Sequence, residues 1–179
     1  MRKVLWQMMM SLDGLMEGPN GELDWHVTGD EFAEYVAGMP KSIDTILFGR
    51  VTYQMMAQYW PSSAEPEAPM MNDLPKLVFS RTLDKVEWKN SRLVKGNIAQ
   101  EIAKLKQQPG KDIALIGSTD LATTFIRLGL IDEYRIFLNP VVLGRGNPMF
   151  KNLKDRVGLK LVKAQPFRSG NVLLIYQPA

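Results

Sequence analysis

Residues 43–53 read Ile43-Asp44-Thr45-Ile46-Leu47-Phe48-Gly49-Arg50-Val51-Thr52-Tyr53. An apolar run of strand length stops at a glycine, and the chain then turns into a helix that carries Tyr53, Met56 and Trp60. The same order returns at Ile113-Ala114-Leu115-Ile116-Gly117-Ser118-Thr119, which opens a helix whose Leu121, Phe125 and Leu128 share one face. Strands alternating with helices predict a mostly parallel sheet covered on both faces.

Working outward, Val4 to Leu12 reads as a first strand, buried on both faces, that ends in a loop with Asp13-Gly14 and Gly18-Pro19-Asn20-Gly21 as turn signals. Thr28 or Asp30 is expected to cap a short helix through Tyr35 and Val36, stopped by Pro40. Pro61, Pro66 and Pro69 predict a surface loop. Lys76 to Phe79 is a third strand closed by Ser80-Arg81-Thr82, with weaker strand signals at Val86-Trp88 and Leu93-Val94. Ile98, Ile102 and Leu105 mark a helix ended by Pro109-Gly110. Asp132 to Leu143 reads as a long strand, and Leu159-Val162 with Val172-Tyr176 as a terminal hairpin. The expectation is one α/β domain over residues 1–179, its mostly parallel sheet ending in an antiparallel C-terminal edge.

Composition prunes the chemistry. There is no cysteine and one histidine, His26, among 179 residues. Disulfide scaffolds, thiol nucleophiles and multi-histidine or thiolate metal sites are excluded, and no metal site is expected. No apolar run approaches the ~18 residues of a membrane span, and the N-terminus lacks a signal-peptide pattern. A cytoplasmic protein without membrane association is expected. The net charge of +3 is uneven: residues 1–133 carry 14 Lys+Arg and 18 Asp+Glu, and residues 134–179 carry 8 and 1. Those basic residues read as the polar face of an antiparallel hairpin, and without interleaved aromatic residues nucleic-acid binding is a minor reading. The eleven methionines read as fillers of irregular core gaps, with adaptable packing around a planar ligand as the alternative, and His26 as a solvated loop residue, with a proton donor as the alternative.

In parallel sheets ligands bind beyond the carboxyl ends of the strands, so the turns there are the places to search. Gly49-Arg50-x-Thr52 and Gly117-Ser118-Thr119 each offer close backbone approach, hydroxyls and free amides at a helix N-terminus, which favours an anion. A glycine followed by a Ser or Thr cap also occurs for purely structural reasons. With Ser80-Arg81 after a third strand, the pair of turns points to a dinucleotide bearing a 2′-phosphate. Gly144-x-Gly146 continues into Pro148 and completes neither a dinucleotide fingerprint nor a P-loop.

Taken in order, Ser11-Leu12-Asp13-Gly14, Gly49-Arg50-x-Thr52-Tyr53, Ser80-Arg81-Thr82-Leu83, Gly117-Ser118, Leu130-x-Asp132-Glu133 and Pro140-x-x-x-Gly144-x-Gly146 carry a resemblance over essentially the whole chain. The chain resembles the dihydrofolate-reductase-like superfamily, and most closely stand-alone proteins similar to the C-terminal reductase domain of the bifunctional riboflavin-biosynthesis deaminase-reductase. The resemblance implies a three-layer αβα sandwich, a homodimer, and NADPH bound across the strand ends. Gly49, Arg50 and Thr52 would meet the phosphates, Arg50 with Ser80 or Arg81 the 2′-phosphate, Gly117, Ser118, Thr119, Asp120 and Leu121 the pyrophosphate, and Met9 the nicotinamide. It further implies that Trp25 and Asp30 bind the substrate and that Asp30 assists protonation, although Asp30 also reads as an ordinary first-turn acid. The apolar stretch Ile136 to Phe150 is suited to an interface.

The substrate half departs from the relatives. Leu115 stands where the riboflavin-pathway reductase has a glutamate, Leu23 where it has a serine, and Gly117-Ser118-Thr119 where dihydrofolate reductases have consecutive glycines. The expected activity is reduction of a C=N or C=O group in a small polar substrate, a 5-amino-6-(5-phosphoribosylamino)uracil-like or pterin-like compound. The alternatives are a nucleotide-binding module without turnover and a nucleic-acid binder using the basic tail.

Overall fold

The computed structural model describes residues 1–179. In chain order its elements are β1 (Val4–Ser11), β2 (Leu15–Glu17), α1 (Asp30–Gly38), β3 (Ile43–Gly49), α2 (Arg50–Tyr59), α3 (Ala68–Asp73), β4 (Lys76–Phe79), β5 (Ser91–Val94), α4 (Ile98–Gln107), β6 (Asp112–Ile116), α5 (Thr119–Arg127), β7 (Glu133–Asn139), β8 (Asn147–Pro148), β9 (Leu159–Pro166) and β10 (Val172–Pro178). Eight strands form one sheet in the order β5-β4-β3-β6-β1-β7-β10-β9, parallel except for β10, which runs antiparallel to both neighbours.

Alternation along the central strands divides the core in two. Leu5, Ile46, Phe48 and Val78 face α1, α2 and α3, meeting Val36, Tyr53, Met70 and Met71. Val4, Trp6, Leu47, Leu77 and Leu115 face α4 and α5, meeting Ile102, Leu105, Leu121 and Phe125. The layers are helix, sheet, helix, as expected. Register brings the strand ends together: Gly49 lies opposite Phe79, and Gln7 opposite Ile116. The turns after β3, β4 and β6 therefore share one edge of the sheet.

Local differences from the expectations have physical reasons. Gly29, not Thr28 or Asp30, occupies the N-cap of α1, and Asp30 is its first residue. The proline-rich stretch holds helix α3, because Pro69 sits in its first turn, where a missing amide removes no helical bond. Val86-Trp88 forms no strand; Trp88 is instead packed on Phe48 and donates from Nε1 to Asn72 Oδ1 at 2.8 Å. Leu128 is the C-cap of α5 and half-exposed rather than part of its buried face. β7 stops before Pro140, which cannot donate to a ladder. β1 is fully buried only through Trp6 and again at Ser11, because Gln7, Met8 and Met9 border an opening.

Within the stretch expected to suit an interface, Ile136, Phe137 and Met149 are buried inside the chain, while Val142 and Phe150 stay exposed. The basic tail is likewise divided. Arg135 pairs with Glu133 at 2.6 Å, Lys151 with Asp120 at 2.8 Å and Arg168 with Glu31 at 3.5 Å; Lys160 and Lys163 lie exposed on β9. No helix is long and apolar enough to cross a membrane.

Candidate functional site

A cleft of about 1050 Å³ opens at the carboxyl edge of the sheet, and both glycine turns line it. After β6 the backbone is left-handed at two successive residues, Gly117 (φ 62°) and Ser118 (φ 55°). For serine this conformation is unfavourable. It is held by specific bonds: Ser118 Oγ accepts the amide of Gly49 at 2.8 Å, and the Gly117 carbonyl accepts Trp6 Nε1 at 2.9 Å. Neither glycine has room to spare. A Cβ on Gly117 would lie 3.2 Å from Thr52 Cγ2, and one on Gly49 3.2 Å from Ser118 Oγ. The first bond within α5 runs from Ala122 N to Ser118 O at 2.8 Å, which leaves the amides of Thr119, Asp120 and Leu121 without helical partners at the cleft.

Cations surround these turns. Arg50 lines the cleft and its guanidinium reaches Gln54 Oε1 at 3.1 Å. Arg81 also lines it, exposed and bonded to no other side chain. Ser80 is not among the lining residues; its Oγ closes its own turn by accepting the amides of Thr82 and Leu83 at 3.2 and 3.0 Å. Of the two neighbours expected near a 2′-phosphate, the structure brings Arg81 to the cleft and gives Ser80 a local task. Lys151, paired with Asp120, is a further lining cation. Sequence reasoning missed it, since nothing in its spacing sets it apart from the other basic residues of the tail. Free amides, glycine approach and three cations fit a phosphorylated dinucleotide.

The rest of the cleft is apolar. Met9 lines it from β1, Phe32, Ala33 and Val36 from α1, and Trp60 from beyond α2. Eight of the eleven methionines line it, more than the core-filler reading expects; Met39, Met70 and Met71 do both, closing the core on one side and the cleft on the other. His26 also departs from expectation. It is half-buried, it lines the cleft, and its Nε2 is buried with no hydrogen-bond partner. Burial holds its pKa below the ordinary histidine value, so the imidazole is neutral near pH 7.

Two expected residues stand elsewhere. Trp25 packs edge-on against His26 and donates from Nε1 to Glu22 O at 3.0 Å, outside the lining set. Asp30 is exposed at the start of α1; its neighbours Gly29 and Phe32 line the cleft and it does not. Leu115 is fully buried under α4 and α5, whereas Leu23 lines the cleft.

Comparison with known proteins finds relatives of the same fold. The RibD C-terminal domain family matches residues 2–173. The uncharacterized protein YyaP of Bacillus subtilis (strain 168) is 39% identical over 182 residues, 98% of this chain and 94% of that protein. The crystal structure of a putative riboflavin biosynthesis protein from Shewanella sp. PV-4 is similar with a TM-score of 0.81 at 26% identity, over 99% of both chains. A dihydrofolate reductase from Enterococcus faecalis, solved with NADP(H), is similar with a TM-score of 0.65 over 98% of this chain and 96% of that one. At 15% identity that last likeness is one of fold.

Proposed function

The chain belongs to the RibD C-terminal domain family, and on that premise we propose that it is an NADPH-dependent reductase acting on a C=N or C=O group of a small planar substrate. The observation that carries the reading is the pair of glycine turns, bonded to each other through Ser118 and Gly49 and ringed by Arg50, Arg81 and Lys151 at the mouth of an apolar cleft. The amides of residues 119–121 would hold the pyrophosphate, and Arg50 and Arg81 the 2′-phosphate. Gln7 and Met9, on the cleft side of β1, would flank the nicotinamide.

When bound, the cofactor supplies a hydride. What the chain itself contributes is position and dryness. The turns fix one end of the ligand through rigid backbone, so the reacting ring is held at a set depth. The methionine wall and Phe32 keep water from the transfer, which strengthens every polar contact inside. A dinucleotide-binding module without turnover would need only the turns; the apolar second half of the cleft favours an enzyme.

Titration of the intact protein with NADPH tests the reading through energy transfer from tryptophan. Trp60 lines the cleft and Trp6 is bonded to Gly117, so both report on it. A saturable signal is expected, stronger for NADPH than for NADH. No saturation at tens of micromolar cofactor overturns the reading.

A further inference from the structure

We propose, resting on the reductase reading, that the second half of the cleft selects a planar acceptor that is uncharged or cationic and carries no phosphate, with His26 Nε2 as its polar anchor. Charge is distributed unevenly along the cleft. Every lysine or arginine that lines it belongs to the dinucleotide end, namely Arg50, Arg81 and Lys151. Helix α2 has ten residues, so its far end lies about 15 Å from Arg50. There, between α2 and α3, the lining charges are Glu65 and Glu67. Glu65 accepts from Tyr59 Oη; Glu67 is bonded to no other side chain.

The cation packed against α3 is of no help to an anionic ligand. Lys76 is buried and its Nζ donates to the carbonyls of Met71, Asn72 and Leu74 at 2.9, 3.1 and 2.7 Å. A phosphate at this end would meet two carboxylates and no donor of positive charge, in a cleft whose apolar walls strengthen the repulsion. A flat apolar ring, by contrast, is matched by thioethers and by Trp60. Such a ring still needs one polar contact to fix its orientation. His26 Nε2 supplies it, being a buried ring nitrogen with no partner inside the protein.

Three flat tricyclic probes of graded charge test this: proflavine (cationic), riboflavin (uncharged) and FMN (the same ring with a phosphate). Each is titrated by fluorescence anisotropy into the intact protein, with saturating NADP+ present so that FMN cannot use the dinucleotide end. Proflavine and riboflavin should saturate, and FMN should bind about tenfold more weakly or worse. The double variant Glu65→Lys, Glu67→Lys should bring FMN level with riboflavin. FMN binding as tightly as riboflavin, or no saturation by either unphosphorylated probe, overturns the proposal. His26→Phe keeps an aromatic ring and should weaken riboflavin about fivefold; unchanged affinity overturns the anchor. Failure of the reductase reading is separate, because it appears as loss of the NADPH signal while proflavine and riboflavin still saturate and still respond to His26→Phe.

Discussion

Ser118 Oγ accepts the Gly49 amide at 2.8 Å, so the turn that follows β6 is bonded to the turn that follows β3. One hydroxyl thus sets the spacing between two helix N-termini that face the same cleft. Ser118 does this from a left-handed conformation, which makes its two properties separable by substitution.

Ser118→Ala keeps the unfavourable backbone and leaves the Gly49 amide without its acceptor, a loss of about 1–2 kcal/mol. Ser118→Gly loses the same bond but relieves the backbone, offsetting about 1 kcal/mol. Urea denaturation should rank wild type above Gly, and Gly above Ala. Both variants should bind NADPH more weakly, since the turns are no longer locked. A glycine variant less stable than the alanine one contradicts the account.

Arg81 has no competing side-chain partner, whereas Arg50 shares its guanidinium with Gln54. Arg81→Ala should therefore weaken NADPH by about 10- to 100-fold, the value of a charge-assisted bond, and leave NADH nearly unchanged. Arg50→Ala should also reduce the preference for NADPH. Equal losses for both cofactors would separate these arginines from the 2′-phosphate.

Asp30 sits in the first turn of α1, exposed and beside the cleft rather than in it. Asp30→Asn should cost about 0.3–1 kcal/mol through the helix dipole and keep most of the turnover once a substrate is in hand. Loss of turnover with unchanged thermal stability would restore Asp30 to the chemistry.

His26 is held neutral by burial, its pKa below the free value of 6.5. As pH falls below that value the unfolded chain takes up this proton before the folded one, so stability is lost on acidification and is fully present above it. Melting temperatures measured at pH 7.5 and 5.5 should fall further for wild type than for His26→Phe. Parallel falls would mean that the imidazole is solvated.

Lys76 caps the carbonyl end of α3, lies over Trp88 at 4.5 Å, and is pushed by burial to a pKa of about 8. Lys76→Met leaves three carbonyls without their donor and should cost about 2–4 kcal/mol. The sign with pH is opposite to that of a lysine held charged by an ion pair. Between about 8 and 10.5 the unfolded chain holds the proton that the folded one has released, so wild type should gain on the variant across that window. A gap independent of pH would contradict burial of the charge.

The two strand-to-helix turns were legible because their grammar is local: an apolar run, a glycine, then a helical stripe. The parallel sheet and its antiparallel edge follow from that order. Helix α3 was not legible, because three prolines look like a loop until one of them is known to lie in a first turn. The ribbon of β2 and β8 joins residues about 130 apart, a pairing that no local pattern encodes. The dinucleotide end of the site was readable, since glycines and hydroxyls declare themselves by spacing. The substrate end was not. Methionine, leucine and a lone histidine have the same appearance in a core as in a cleft, and only the fold decides which side of a helix they serve. Lys151 and the choice of Arg81 over Ser80 belong to the same class.

The eight cleft methionines have a consequence for how selection works. An unbranched thioether turns about three bonds and is highly polarisable, so such a wall moulds itself to flat molecules of different outline. Recognition by contour is weak in a lining of this kind. Discrimination falls to what cannot be moulded: two carboxylates at one end, a rigid pair of backbone turns at the other, and a single imidazole nitrogen in the wall.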